Sequence, residues 1–501
     1  MREKNGLFDE APMRTSQEVY LVIDVGTGSV RCSLYSPEAG FVGQSREPNE
    51  IGPRISAERL WNRLLEQIRA LVRTHPSHRI TCVCITSFLG WVAADKDGNP
   101  VTDAWTWMHQ EGRYLRQTGE RMSPDMPRRM GRKLTGELAA FKWLSLKNEN
   151  AELYRRASTF FSMKDYLNFR LTGARMTDFV HAAYTGMFSV RSRAWDPELV
   201  ELFQLDGDKL PGICSGKEVI GEVTEAVSQM TGIPRNTPVL AGGPDGSMAV
   251  VGGGGVRPGD TVDVMGTTDV LFTVCEQYES ASGSFLVNPH VLPGLWQVGG
   301  PLGMTGGTVS WFLEQWNEGD IGETHKTFEE LAKRLDNKPT DLWFIPSLTG
   351  ERTPHWLPSM KGTVVGLTPR HRKEHIYKAL LEGIGFSVYS LLQRLKQARF
   401  EADRVTCLGG GARNRLGLQI RADISGLEMD VPAELEASTL GAALLCALAT
   451  GYYRDPGEAA LKMVRIRDSV RPDPENHALY QKRYGQYLRL LELMNGFYAQ
   501  E

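Results

Sequence analysis

Residues 20–35 read YLVIDVGTGSVRCSLY, an apolar strand that passes through Gly-Thr-Gly-Ser into a second strand. Two glycines let a backbone approach an anion closely, and small hydroxyl side chains can donate to phosphate oxygens. Asp24, at the end of the first strand, is placed to hold a cation or its bound water. The stretch lacks the Gly-Lys-Ser/Thr of a P-loop and the third glycine of a dinucleotide fingerprint. It predicts a phosphate-binding hairpin, with a tight turn between two ordinary strands as the alternative.

A similar unit lies about halfway along the chain, where residues 264–272 read VMGTTDVLF. A third glycine tract, VTCLGGGARN at 405–414, also leaves an apolar strand and enters a predicted helix. The repetition indicates two related domains, each with a Gly-Thr hairpin that faces a shared cleft. Apolar residues recur at helical spacing over 57–74, 194–204, 376–398 and 474–494. Strands that alternate with helices predict an α/β protein.

Length and composition indicate a large globular enzyme with more than one domain. A chain of 501 residues is too long for one core, and 41% hydrophobic with 23% charged residues is ordinary. The net charge of -3 and the absence of a long basic run give no reason to expect a nucleic acid partner. No signal peptide or long apolar segment is visible, so we expect no membrane partner and a cytoplasmic location. The polar residues 1–17 predict a flexible arm.

Several further motifs occur together in one order. Residues 362–367 read GTVVGL, and seven residues later 375–382 read HIYKALLE. GERTP stands at 350–354, and KDY at 164–166 precedes LTG at 171–173. With these motifs, the chain from residue 18 to about 490 resembles the FGGY family of carbohydrate kinases, in the actin/hexokinase/Hsp70-like ATPase superfamily.

The resemblance implies an α/β fold of two ribonuclease-H-like (actin-like ATPase) domains with a cleft between them. Residues 18–255 would form the domain that supplies most of the sugar site and the catalytic base. Residues 256–501 would form the nucleotide-side domain, which ends in a C-terminal helix that packs back onto the body.

The same resemblance implies ATP-dependent phosphorylation of a carbohydrate hydroxyl. Asp245 falls on the family's catalytic aspartate, the general base, and a turn aspartate between Pro244 and Gly246 is the alternative. Asp24 would position hydrated Mg²⁺ at the phosphates, with Asp245 on the other side of the metal. A buried, hydrogen-bonded aspartate at a strand end is the alternative for Asp24.

The remaining nucleotide contacts are also carried over from the family. Gly26, Thr27, Gly28 and Ser29 would face the transferred phosphoryl group, and Gly266 and Thr267 would face the adjoining phosphates of ATP. Gly306 and Gly307 would let the nucleotide lie against the backbone, although a helix-entry turn explains them equally well. The adenosine segment would comprise Gly410, Gly411, Ala412 and Asn414.

The sugar pocket departs from the well-known members of the family. Xylulose kinases carry Gln-Met-His-Gly where residues 87–90 here read SFLG. The usual Trp-x-Asp-x-Arg has become WMHQE at 107–111, so that His109 and Glu111 replace the aspartate and the arginine. These losses argue against xylulose and against glycerol as the principal substrate, because buried polar groups discriminate strongly. The candidate substrate-binding residues are Phe88, Leu89, Trp107, His109 and Asp245.

Three predictions about the substrate and the activity remain open at this point. His109 could donate to a hydroxyl or to a carboxylate, whereas Glu111 would repel an anion. GTGSVR at 26–31 and NPH at 288–290 are similar to autoinducer-2 kinases, which carry Met-Arg-Glu-Gly at the positions of 87–90. We expect a kinase for a ketose, polyol or related small molecule, with an autoinducer-2-like substrate as one alternative. The other alternative is a sensor that binds a ligand and a nucleotide without transfer activity. The resemblance to the family also implies a homodimer.

Overall fold

A computed structural model describes residues 18–49, 52–278, 283–316, 326, 329–330, 332–335 and 338–500. The arm expected over residues 1–17 lies outside this range. Within it, no helix combines the length and the apolar character that crossing a bilayer requires.

The first half of the chain forms a six-stranded sheet, a four-stranded sheet and two small strand pairs. Its strands are β1 (Glu18–Val25), β2 (Ser29–Ser36), β3 (Gly40–Pro48), β4 (Arg54–Ile55), β5 (Arg79–Ser87), β6 (Gly90–Ala94), β7 (Ala104–Thr106), β8 (Thr159–Ser162), β9 (Met176–Asp178), β10 (Phe188–Ser189), β11 (Ala194–Trp195), β12 (Gly212–Cys214), β13 (Val219–Glu222) and β14 (Pro238–Pro244). The helices of this half are α1 (Ala57–Thr74), α2 (Leu115–Glu120), α3 (Met126–Met130), α4 (Ala139–Glu149), α5 (Ala151–Arg156), α6 (Met163–Thr172), α7 (Phe179–Tyr184), α8 (Pro197–Leu202), α9 (Glu225–Thr231) and α10 (Asp245–Gly252), with a 3₁₀ turn at Gly207–Lys209.

The described residues of the second half form a seven-stranded sheet and one small strand pair. Its strands are β15 (Thr261–Met265), β16 (Asp269–Cys275), β17 (Leu286–Pro289), β18 (Trp296–Pro301), β19 (Trp343–Ile345), β20 (Thr363–Val365), β21 (Arg404–Leu408), β22 (Glu428–Pro432) and β23 (Ile466–Val470). The helices are α11 (Gly306–Gln315), α12 (Lys373–Gln397), α13 (Arg415–Ser425), α14 (Ala437–Ala449), α15 (Pro456–Met463) and α16 (Pro474–Tyr498), with a 3₁₀ turn at Gly410–Arg413.

The two large sheets repeat one topology, which confirms the predicted fold class. The first has the order β13-β14-β5-β1-β2-β3 and the second β17-β18-β16-β15-β21-β22-β23. In each sheet a hairpin, β1–β2 or β15–β16, pairs antiparallel, and its first strand pairs parallel with a later strand, β5 or β21. The predicted Gly-Thr turns therefore occupy equivalent places in two ribonuclease-H-like sheets.

Helices α10 and α14 join the two halves through a very close backbone contact. A Cβ atom on Gly252 would lie 1.8 Å from the carbonyl oxygen of Ala437, and one on Gly441 would lie 2.0 Å from that of Met248. Any side chain at these positions would collide with backbone, so glycine permits the crossing. Because α10 begins at Asp245, this contact fixes the position of that residue relative to the second half of the chain.

The predicted helices are found with small changes at their ends. Helix α1 occupies 57–74, with Ser56 as its cap, and α12 and α16 extend the predicted ranges. The helix expected over 194–204 is shorter, because Ala194–Trp195 pairs with β10 and the helix starts at Pro197 with Asp196 as its cap. Helix α16 packs back onto the body as predicted, and the Tyr480 hydroxyl donates to Glu382 on α12.

Candidate active site

Three parallel strands of the first sheet end at one edge, and each is followed by a predicted site segment. The register places Val25 of β1 and Pro244 of β14 on either side of Ser87 of β5. The hairpin Gly26–Ser29 follows β1, Phe88 and Leu89 follow β5, and Asp245 follows β14. This edge therefore brings the predicted phosphate, sugar and base residues together.

Asp245 is the first residue of helix α10, where the sequence pattern had suggested a glycine-lined turn. The amide of Gly246 donates to its carboxylate at 2.7 Å. Burial and the nearby charge of Asp24 together raise the pKa of Asp245 to about 7, against the hydrogen bond from the Gly246 amide, which lowers it. A carboxylate with a pKa near neutrality is suited to accept a proton from an alcohol.

Asp24 lies near Asp245, and only one of its two carboxylate oxygens accepts hydrogen bonds from described residues. Arg31 Nη1 and Ser438 Oγ both donate to its Oδ2, each at 3.1 Å. Burial raises the pKa of Asp24 to about 6, while Arg31 opposes that rise. Its other oxygen, Oδ1, is buried and has no hydrogen-bond partner among the described residues. A buried carboxylate oxygen without a partner, with a second carboxylate nearby, fits a hard divalent cation that keeps most of its water ligands.

The first Gly-Thr hairpin is closed by its own backbone and fixed by Asn49. The amide of Gly26 donates to the carbonyl of Ser29 at 3.0 Å. The Asn49 amide donates to Gly28 at 3.0 Å, and its side chain donates to Gly26 at 2.7 Å. Thr27 and Gly28 are exposed, whereas Ser29 is buried. The sequence pattern did not identify Asn49, which comes from the end of β3.

A cavity of about 590 Å³ lies beside the second hairpin and is called the Gly266 cavity here. This volume falls within the range of small-ligand sites. Its lining includes six residues predicted for the nucleotide: Gly266, Thr267, Gly306, Gly410, Gly411 and Asn414. Gly307 and Ala412, which were also predicted, are not among its lining residues: the Gly307 amide donates to the carbonyl of Thr267, and Ala412 is buried in the core. Lining residues that the sequence did not identify include Ser310, Lys326, Glu329 and Arg421.

Gly306, the first residue of α11, lets this helix lie directly against Gly266 in the wall of the Gly266 cavity. A Cβ atom on Gly306 would lie 2.2 Å from the carbonyl oxygen of Gly266. On the opposite wall, Asn414 accepts from the Gly417 amide as the cap of α13 and donates to the Tyr377 hydroxyl, each at 2.9 Å. The wall is therefore made of backbone and small side chains, as close contact with a flat base would require.

A smaller cavity of about 200 Å³ lies between Leu89 and the second sheet. We call it the Arg132 cavity after its most buried charged residue. Its apolar lining includes Leu89, Trp107, Leu138, Val270, Leu286 and Trp356, and its charged lining comprises Arg132, Lys133, Glu137 and Arg352.

The predicted sugar-binding residues separate into two groups. Leu89 and the half-exposed Trp107 line the Arg132 cavity. Phe88 is buried in the core beneath it, at 2% exposure. His109 lies outside the lining, and burial lowers its pKa, as do the charges of Arg54 and Lys142. Glu111 also lies outside the lining and accepts a hydrogen bond from the Arg113 amide.

Strand β16 separates the two cavities. Asp269 lines the Gly266 cavity, and the next residue, Val270, lines the Arg132 cavity. Successive residues of a strand face opposite sides of its sheet, so one strand can serve two ligands. The Arg132 cavity and the Gly266 cavity are thus close neighbours built by different faces of the same hairpin.

Comparison with known proteins matches most of the chain to the two domains of one protein family. Residues 19–252 match the model of the N-terminal domain of the FGGY family of carbohydrate kinases, and residues 262–450 match that of its C-terminal domain. The chain is 28% identical to the xylulose kinase of Escherichia coli strain K12 over 491 residues, which cover 95% of this chain and 99% of that protein. It is 25% identical to the gluconokinase of Bacillus subtilis strain 168 over 500 residues, covering 96% and 97%.

A solved structure supports the same architecture. The crystal structure of xylulose kinase from Rhodospirillum rubrum superimposes with a TM-score of 0.90 at 22% identity. The superposition covers 96% of this chain and all of that one. At this level of identity the likeness shows a shared fold.

Proposed function

The chain belongs to the FGGY family of carbohydrate kinases, and we propose that it transfers the terminal phosphoryl group of ATP to a hydroxyl of a ketose, polyol or related small molecule. The observation that carries the proposal is the position of Asp245. It begins a helix at the edge where β1, β5 and β14 end, beside Asp24, with a pKa of about 7. No other feature of this edge requires a second carboxylate.

In the proposed reaction, Asp245 takes the proton of the substrate hydroxyl. The hydroxyl oxygen forms a bond to the terminal phosphorus of ATP while the bond from that phosphorus to the bridging oxygen breaks, so that ADP leaves. A positioned base of this kind typically contributes about 10²–10⁴ in rate. The rest of the catalysis is positioning and charge stabilisation, for which the two hairpins offer amides and hydroxyls.

Asp24 would hold the magnesium ion, with Asp245 nearby and water completing its coordination. The bound metal would supply positive charge against the phosphate oxygens. Arg31, which pairs with Asp24 at 3.1 Å and with Glu436 at 2.8 Å, keeps the Asp24 carboxylate oriented. The orphaned Oδ1 of Asp24 is the oxygen left free for the ion.

ATP would occupy the Gly266 cavity, with its phosphates between the two Gly-Thr hairpins. Gly410, Gly411 and Asn414 would contact the adenosine, and Gly266 with Thr267 the adjoining phosphates. Lys326 adds a positive charge to this wall, whereas the charge of Arg421 is matched by Asp263 and Asp269. The substrate would enter the Arg132 cavity on the other side of β16, next to Leu89.

A coupled assay of ADP release with Mg-ATP tests the function directly. The panel comprises pentuloses, hexuloses, pentitols, tetritols, sugar acids and the autoinducer-2 precursor. Release of ADP that depends on one of these compounds, with one phosphate gained by that compound in mass spectrometry, is the expected result. Binding of ATP and of a panel compound without any transfer would instead indicate a sensor with the fold of a kinase.

The pH dependence of kcat/KM is expected to show an acid limb with an apparent pKa near 7. Asp245 must be deprotonated to act as a base, and its pKa is raised to about 7 in the free enzyme, so activity falls as the pH falls through that value. An aspartate at its ordinary pKa of about 3.9 would leave kcat/KM flat down to about pH 5. The measurement is kcat/KM from pH 5 to 9 at fixed ionic strength, with recovery of activity at pH 8 as the control for unfolding. A flat profile to pH 5 would rule out Asp245 as a base with a raised pKa.

A further inference from the structure

The Arg132 cavity contains more positive than negative charge. Its described lining residues include three cations, Arg132, Lys133 and Arg352, and one carboxylate, Glu137. Arg352 is paired with Glu137, its Nη2 lying 3.1 Å from Oε2. Within the described part of the chain, no carboxylate lies at ion-pair distance from Arg132 or Lys133. Two positive charges in this small cavity are therefore without a matching anion.

Arg132 is the more informative of the two because it is buried. Arg132 is 5% exposed, and its Nε has no hydrogen-bond partner among the described residues. One guanidinium nitrogen donates to Asn288 Oδ1, and the group lies over the ring of Tyr184 at 4.0 Å. A buried charge without a counter-ion is costly, so such a group next to a cavity indicates that a ligand supplies the anion.

The position of Arg132 is fixed by the fold. Helix α3 ends at Gly131 in a left-handed conformation, φ 70°, and the Val287 amide donates to the Gly131 carbonyl at 2.7 Å. A Cβ atom at residue 131 would lie 2.3 Å from the carbonyl oxygen of Val287. The guanidinium is therefore held against β17 before any ligand binds, which reduces the entropic cost of binding.

A chain of side chains connects Arg132 to the helix of the proposed base. Asn288, which accepts from Arg132, is the cross-strand partner of Gln297. Gln297 in turn donates to Ser247 at 2.6 Å, and Ser247 lies two residues after Asp245 in α10. Asn288 Nδ2 and Gln297 Oε1 are buried and have no partners among the described residues. The anion site and the base thus belong to one connected structure.

Lys133 provides a second, more accessible charge at the mouth of the same cavity. Its ammonium lies 4.8 Å from the centre of the Trp356 ring, and partial burial lowers its pKa. The repulsion that Glu111 was expected to exert does not arise from the lining, because Glu111 lies outside it. The volume of about 200 Å³ suits a molecule smaller than the usual drug-sized ligand.

We propose that the substrate is a sugar acid, whose carboxylate binds Arg132 and Lys133 while one of its hydroxyls reaches Asp245. A planar carboxylate matches the planar guanidinium fork, with Lys133 as a second point charge. Trp107 and Leu89 would contact the C–H groups of the same molecule. This inference rests on the proposed function, because the reacting hydroxyl is the one that Asp245 would deprotonate.

The test compares acids with neutral compounds of equal carbon number. Four- to six-carbon aldonates and the matching alditols are measured for ADP release and, separately, for binding by calorimetry. We expect an aldonate to be the preferred substrate. Arg132→Gln and Lys133→Gln should each weaken its binding by about 10–100-fold, as loss of a hydrogen bond to a charged group implies. ATP binding should remain unchanged in both variants.

Arg128→Gln is the matched control, because Arg128 is an exposed arginine on the same helix α3 and lies outside the cavity. Lys133→Gln keeps the test valid if Arg132→Gln fails to fold, since Lys133 is exposed at the surface.

The outcomes separate this inference from the function on which it rests. Phosphorylation of alditols alone, with no binding of aldonates, would overturn the carboxylate inference and leave the kinase proposal standing. Aldonate binding that depends on Lys133, without transfer, would support the carboxylate site and overturn the kinase proposal. Equal competition by inorganic phosphate or sulfate would assign the site to any small anion and overturn the preference for a carboxylate.

Discussion

Replacing Asp245 by asparagine is expected to lower kcat by about 10²–10⁴-fold while ATP binding is retained. The amide keeps the size of the side chain and its contact with the Gly246 amide, but it cannot accept the proton of the substrate hydroxyl. Because the lost interaction belongs to the transition state, kcat and kcat/KM should fall together. The measurement is ADP release at saturating substrate, with ATP binding followed by calorimetry.

The stability of the same variant distinguishes a catalytic from a structural effect. The pKa of Asp245 is raised in the folded protein to about 7, above its value in the unfolded chain, so the ionised carboxylate opposes folding at pH 8. Asp245→Asn should therefore have a Tm equal to or above that of the wild type at pH 8, and the difference should shrink toward pH 5 and vanish only below about pH 4, the pKa of an aspartate in the unfolded chain. Asp208→Asn, at an exposed carboxylate in the 207–209 turn, is the matched control and should change neither quantity. Loss of activity together with a lowered Tm would contradict the assigned role.

The sequence alone predicted the two strand–turn–strand hairpins, because a hairpin depends on a few consecutive residues. The strand–Gly-Thr–strand units at 20–35 and 264–272 are hairpins at equivalent places in two sheets. Their signal is contained in a few consecutive residues, because alternating apolar positions and a glycine turn suffice to specify a hairpin. The repetition of this unit then predicted two related domains, and the family motifs added the roles of the individual residues.

The residues that the sequence missed come from distant segments. Arg132, Lys133 and Arg352 meet only because the end of α3 is fixed against β17 and the loop after β19 reaches the same cavity. No spacing along the chain marks such a set. The reverse case is Phe88, which was predicted to bind substrate but fills the core, since its ring packs beneath Gly90. An aromatic residue next to a site motif has no local signal that separates lining from core.

Replacing Arg421 by methionine is expected to lower the free energy of unfolding by about 3–5 kcal/mol, or roughly 6–10 °C in Tm for a unit the size of one half of the chain. Arg421 donates to Asp263 at 2.6 Å and to Asp269 at 2.5 Å, and all three residues are buried beside the Gly266 cavity. Burial and the charge of Asp269 already raise the pKa of Asp263, while Arg421 opposes that rise. Methionine preserves the packing volume but leaves two buried carboxylates without their cation, and breaking a buried pair on one side is the costly case.

The loss of stability in the Arg421→Met variant is expected to depend on pH. Carboxylates whose folded-state pKa lies above the unfolded value destabilise the protein increasingly as the pH rises through that range, because the unfolded chain releases its protons first. The deficit in Tm should therefore be largest near pH 8 and shrink toward pH 5. Asn at both Asp263 and Asp269, combined with Arg421→Met, should restore most of the stability, since no buried charge then remains. Arg415→Met, on the same helix α13, is the matched control: it removes a half-exposed pair with Asp468 and should cost less than about 1 kcal/mol. A deficit no larger than that of the control, measured by thermal unfolding, would show that this buried ion cluster does not hold the wall of the nucleotide cavity.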